Sequence, residues 1–328
     1  MTWIETDSLS FSARHDDADL ACAHRVLDSL EELRLRLEDR FAEVPGNVTV
    51  ILHDNPAWLS MAHPLLPAVR WSAAPAARRY LAGWPMDGEI HTLNDSWMER
   101  RSAGEDSLRA LRGTAERMYC QIVIAANNTE LPPMWTPRRF ITYLRWAWLI
   151  EGAAQYFTAQ TSLYRAAVIT RLREGDRPAF PPTRRDALIL GGTVFDMLDR
   201  HAGPDACVRM VSRLHRQGPQ GNLELAFEAR MREIERAWRM HLDEILYPQS
   251  ESLEASSLSD ALEKPDLDLS LGTPPEFGFD PTTRRSRTSP PGDRSPEREI
   301  EEVDDQGGNS NGRGQAQRES RWRPDPGQ

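Results

Sequence analysis

Apolar residues recur at two different periods along this chain, and the change from one to the other divides it. Near the start, Trp3-Ile4-Glu5 and Leu9-Ser10-Phe11-Ser12-Ala13 alternate at period two, as short half-buried strands do. Leu20, Val26, Leu27, Leu30, Leu33 and Leu37 then mark one face of a helix running to about Phe41, with the carboxylates of His15-Asp16-Asp17-Ala18-Asp19 at its start. Pro45-Gly46 is a turn, and Val48–His53 is the best strand pattern in the chain. Residues 56–88 are rich in Pro, Ala and Trp and read as a short helix with irregular segments. Glu89–Leu93 follows as an edge strand.

From Asp106 the period becomes helical. Leu108, Leu111, Ala115, Met118, Tyr119 and Ile122 predict one helix over 106–126. The Leu-Pro-Pro-Met-Trp-Thr-Pro stretch places a loop at 127–139. A helix over 138–160 comes next, then helices near 163–173, 184–201, 205–216, 223–230 and 231–246. Past Tyr247 the pattern stops. Ser, Pro, Gly and charged residues run to Gln328, a composition that buries too little apolar surface to offset chain entropy, and the reading there is a disordered tail. Ser289-Pro290 and Ser295-Pro296 are candidate phosphorylation sites, and residues 267–271 a candidate docking peptide. The fold class expected is α+β: residues 1–105 hold a small mixed sheet with helices, 106–247 form a mostly helical half, and 248–328 are the tail.

Composition narrows the function classes. A formal net charge of −10 argues against a nucleic-acid partner, which would need a clustered basic surface. Cys22, Cys120 and Cys207 are few, odd in number and far apart, as reduced thiols are. No secretory signal is visible, and the longest apolar run is far short of the roughly 20 residues of a membrane helix. The expectation is a soluble cytoplasmic protein with no membrane or nucleic-acid partner. Serine-hydrolase, P-loop and dinucleotide motifs are absent from the sequence. The cluster His15, Asp16, Asp17, Asp19 and His24 has the residue types of a metal site, but aspartates at a helix start already have a capping role.

One helix carries the candidate chemistry. In the predicted 138–160 helix, Leu144, Trp148, Glu151 and Gln155 share a stripe, which places a carboxylate on an inward face. Such a group is seldom buried without a charge partner or a metal. The run Trp148-Leu-Ile-Glu151-Gly-Ala-Ala-Gln-Tyr156-Phe157 resembles the second zinc-binding helix of gluzincin (peptidase-MA-like, thermolysin-type) domains, often written W-L-x-E-G-x-A-x-Y. The stretches around Gly191-Gly192 and Glu233-Ile-Glu235-Arg-Ala-Trp238 resemble their helical C-terminal half, so that the likeness covers roughly residues 9–246.

The resemblance implies zinc held by an H-E-x-x-H helix and by Glu151. Ala115-Glu116-Arg-Met-Tyr119 aligns with that motif, and both histidines are missing from it. A methyl group and a phenol do not replace two imidazoles, so zinc is expected to be lost, with no cofactor and no metal. The intermediate-stabilising tyrosine of related peptidases has no counterpart in Asp186-Ala-Leu-Ile-Leu-Gly191. Ala115, Glu116, Tyr119 and Glu151 are then remnants. Glu151 would accept a hydrogen bond from Tyr119 and pair with an arginine such as Arg112 or Arg145. Trp135, Trp148 and Tyr156 are candidate cleft contacts, although Trp148 at helical spacing also reads as core. The functional expectation is a pseudoenzyme that binds a peptide or protein partner through the ancestral cleft. The alternative is a hydrolase using Glu116 and Glu151 directly or with an unconventional metal site.

Overall fold

The computed structural model describes residues 3–62, 65–131 and 137–247. The fold is α+β, a small mixed sheet followed by a mostly helical half, and the sequence pattern and the structure agree on this. The sheet has five strands in the order β1 (Trp3–Asp7), β2 (Phe11–Asp16), β3 (Val48–His53), β5 (Glu89–Leu93) and β4 (Gly83–Met86). β1 and β2 form an antiparallel hairpin; β2, β3 and β5 run parallel; β4 returns antiparallel to β5.

Glu89–Leu93 is therefore an interior strand and not the expected edge. The edge is Gly83-Trp84-Pro85-Met86, which the sequence hides because proline cannot donate to a ladder and reads as a break. An edge strand tolerates it.

Helix α1 (Leu20–Glu38) packs on β2 through Val26, Leu27, Leu30, Leu33 and Leu37, as its periodicity predicts. His15 is fully buried and joins Thr6 Oγ1 at 2.8 Å and the Asp16 carbonyl at 2.7 Å, Asp16 accepts from the Ala18 amide, and Asp19 accepts from Asn94. His15, Asp16 and Asp19 are thus committed to the hairpin and the helix entry, and the cluster does not come together as a group of three metal-binding side chains among the described residues.

Short helices α2 (Pro56–Ala62), α3 (Leu66–Ser72) and α4 (Pro75–Arg78) precede the edge strand, and α5 (Asp95–Arg101) follows the sheet. The predicted 106–126 helix is two helices, α6 (Glu105–Arg112) and α7 (Thr114–Asn127), broken at Gly113. Gln160 explains the break. Its amide donates to the Gly113 carbonyl at 2.9 Å and sits where a Cβ on residue 113 would be, 2.3 Å away.

α8 (Pro137–Phe157) crosses α10 (Ala187–Ala202), and this is the most extensive helix contact of the fold. A Cβ on Gly152 would lie 2.4 Å from the carbonyl carbon of Gly191, so the two backbones touch because both residues lack side chains. α9 (Arg165–Arg173) is tied to the start of α10 by a buried bidentate pair, Arg171 to Asp186 at 2.6 and 3.1 Å. α11 (Pro204–Ser212), α12 (Pro219–Phe227) and α13 (Met231–Leu246) complete the layer, with Trp238 of α13 fully buried and donating to Thr193 of α10. No helix among the described residues is long and apolar enough to cross a membrane. Trp135, the 267–271 segment, Ser289 and Ser295 lie outside the described residues.

Candidate functional site

Glu151 is buried, at 4% exposure, on the face of α8 that meets α7 and the edge strand. Two turns earlier on α8, Tyr143 donates its hydroxyl to Oε1 at 2.9 Å. From α7, Arg117 brings Nη1 to 3.6 Å from Oε2, and it is 1% exposed. The second Arg117 terminal nitrogen donates to the Tyr80 carbonyl at 3.1 Å, and the guanidinium lies over the Tyr164 ring at 5.8 Å. Gln121, one turn beyond Arg117 on the same face of α7, lines the same small cavity as the carboxylate, with no hydrogen bond to it. Trp84 of β4 sets the edge of its ring against Tyr143 at 6.1 Å between centroids.

Between these groups and Pro85, Met118 and Leu188 remains a cavity of about 10 Å³. That is close to the lower limit for one water molecule and far below the volume of a peptide side chain.

Electrostatics follow from burial. Desolvation pushes the Glu151 carboxyl above its ordinary range, opposed first by the charge of Arg117 and then by the hydrogen bond from Tyr143. Desolvation and the Glu151 charge together raise Tyr143, so its phenol stays a proton donor to the carboxylate. A buried carboxylate paired in this way is costly to uncouple, because either partner alone is an uncompensated charge.

Glu151 thus has a tyrosine and an arginine, as the sequence suggests, but they are Tyr143 and Arg117. Tyr119 is not its neighbour. It donates to the Pro45 carbonyl at 2.7 Å and meets Phe11 edge-on at 4.9 Å. Glu116 accepts from Gln160 at 3.1 Å and faces Ser29, Arg25 and Arg36 of α1, while Ala115 is buried at 1%. Burial raises the Glu116 pKa, with those α1 groups opposing. Glu116 and Glu151 share no partner, and the structure does not join them into an acid–base pair.

The groups of α7 that face Glu151 thus lie two residues on from Ala115 and Tyr119. At 100° per residue, position 117 is about 200° round the helix from position 115. Ala115 and Tyr119 look toward the sheet and α1, and Arg117 and Gln121 look toward Glu151. In most helices the apolar stripe marks the inward face. α7 is buried on both sides, so the apolar stripe did not single out the side facing α8.

The aromatic candidates resolve differently. Trp148 is 2% exposed and is core rather than a ligand contact. Tyr156 is half-buried, stacked on Phe195 at 5.9 Å and edge-on to Phe157 at 5.1 Å. Sequence reasoning did not find Arg117, Gln121, Tyr143 and Tyr164. The available signal was Arg117 with Gln121, a polar pair at i and i+4 inside an otherwise apolar helix.

These residues do not fit a zinc ion. Zinc needs about three protein donors of imidazole, thiolate or carboxylate type. Around Glu151 the second helix supplies an amide and a guanidinium, and the latter repels any cation at that point. No group of three His, Cys, Asp or Glu able to hold a metal occurs among the described residues. Comparison of the chain with protein-family models, curated proteins and solved structures returned no match.

Proposed function

We propose that this chain is a gluzincin-like domain in which an internal guanidinium has taken over the position of the metal ion, and that it works by binding a peptide or protein partner rather than cutting one. The observation that carries this reading is the placement of Arg117 and Gln121. They stand at i and i+4 on one helix and face a glutamate from the next, as two histidines and a glutamate would around zinc. In that register the carboxylate keeps its place and receives a positive charge that comes with the chain.

The cavity beside Glu151 is too small for a substrate, so a partner would engage the rim of the old cleft and not its floor. With a guanidinium facing Glu151 and Glu116 turned toward other partners, the arrangement offers binding and not bond cleavage.

Zinc content of the purified protein, with thermolysin as the positive control, tests the first half. The expected result is far less than one zinc per chain and no chelator-sensitive proteolysis; one tightly held zinc per chain overturns it. For the second half, a displayed peptide library is panned against the full chain in EDTA. The reading expects enriched sequences that bind without metal, and failure to enrich any counts against a peptide-binding role.

A further inference from the structure

The segment between β3 and β4, together with the end of α5, gathers cations around an exposed tryptophan. Arg101 donates to the carbonyl of Arg78 at 2.8 Å, and Arg78 donates to the carbonyls of Ala73 at 3.1 Å and Trp71 at 3.2 Å. These guanidinium groups are thus satisfied by backbone oxygens and keep their charge uncompensated. None of Arg70, Arg78, Arg79 and Arg101 forms a salt bridge among the described residues. Their crowding is felt: burial first, and then the charges of Arg70 and Arg79, lower the pKa of Arg101 to about 10. Arg79 lines a cavity together with Glu105 and Asp106.

Trp71 is 79% exposed, with Arg70 beside it, while Leu66 and Val69 of the same helix are buried. On α2, Leu59 points inward, and Met61 and Trp58 are 71% and 49% exposed. Short helices that bury one apolar face and offer tryptophan, methionine and arginine on the other are built like elements that lie in a lipid interface.

We infer that the surface formed by Arg70, Trp71, Arg78 and Arg101 docks the protein on an anionic lipid bilayer, with the indole entering the headgroup layer and the arginines facing acidic headgroups. A tryptophan with most of its area in water projects from the surface rather than lining a groove, which suits a planar layer better than a peptide. Tryptophan prefers that interfacial depth, and each arginine near such a surface strengthens binding about fivefold. The overall negative charge is no obstacle, because it is concentrated after Tyr247, where seventeen acidic residues stand against ten basic ones. The contact is peripheral, does not involve a membrane-spanning helix, and is independent of whether the Glu151 site is inert.

Sedimentation of the full chain with vesicles of phosphatidylcholine alone, and with about one third phosphatidylserine, tests this. The expected result is binding to the acidic vesicles only, weakened by salt. Arg70→Gln should lower the partition coefficient about fivefold, and Trp71→Ala should lower it comparably. Both side chains are exposed, so unchanged circular dichroism separates loss of binding from loss of fold. Equal binding to both vesicle types, no binding to either, or unchanged binding by the two variants would overturn the proposal. So would capture by polyglutamate in solution with the vesicles ignored.

Discussion

Replacing Arg117 with methionine keeps most of the volume of the side chain and removes its charge, which makes it the sharpest test of how Glu151 is held. In the native protein the two groups are 3.6 Å apart and at most 5% exposed. Removing one partner of such a pair leaves a buried charge, at a cost of about 3–5 kcal/mol. For a domain of this size that lowers Tm by about 6–20 °C. The double variant Arg117→Met/Glu151→Gln removes both charges and keeps an acceptor for Tyr143, so it should regain most of the loss.

The pH dependence has a definite sign. In Arg117→Met the folded-state pKa of Glu151, already raised by burial, loses the charge that opposed it. An acid whose pKa is higher in the folded than in the unfolded state favours folding below its unfolded value and loses that contribution as pH rises through the folded value. The deficit of the single variant relative to wild type should therefore shrink as pH falls from 7 to 5. Urea unfolding followed by circular dichroism, on all three proteins at both pH values, measures it. A deficit under about 1 kcal/mol, a deficit that does not change with pH, or a double variant no better than the single one would refute the ion-pair account.

Further outcomes follow from the same geometry. The double variant Arg117→His/Gln121→His should bind one zinc per chain by calorimetry, whereas Ala115→His/Tyr119→His should not; the reverse would restore the two-residue-shifted alignment. Tyr143→Phe should raise the Glu151 pKa further, seen by carboxyl-labelled NMR, and Tyr119→Phe should leave it unmoved while costing about 1 kcal/mol through its lost bond to Pro45. Gly152→Ala drives a methyl group into the Gly191 backbone and should destabilise by about 1–3 kcal/mol, while Gly46→Ala, with its nearest atom at 3.8 Å, should be nearly silent in the same melt. His53 packs against His91 at 2.9 Å, and burial, then the charge of its neighbour, lowers its pKa to about 4. A base with a depressed folded-state pKa costs stability as pH falls, here between about 6.5 and 4, and His53→Phe should flatten that part of the stability–pH curve.

The sequence by itself determined the fold class, because period two and period 3.6 are imposed by backbone geometry and survive in any packing arrangement. It also determined that Glu151 sits inside. A carboxylate on an apolar stripe next to Trp148 and Ala154 has nowhere else to point, and the structure buries it at 4%. The strand Gly83–Met86 was hidden because its pairing to β5 comes from the partner and not from its own Gly-Trp-Pro-Met propensity. The break at Gly113 needed Gln160, forty-seven residues away.

Tertiary structure alone decided which face of α7 meets α8. A helix buried on two sides shows apolar residues all round, so periodicity gives no angle, and Ala115 and Arg117 are equally good inward positions until the neighbours are placed. Only the packed helices reveal that Arg117 and Tyr143 are the groups facing Glu151. Charge pairing across 34 residues depends on where α7 and α8 pack against each other, and no local rule contains that.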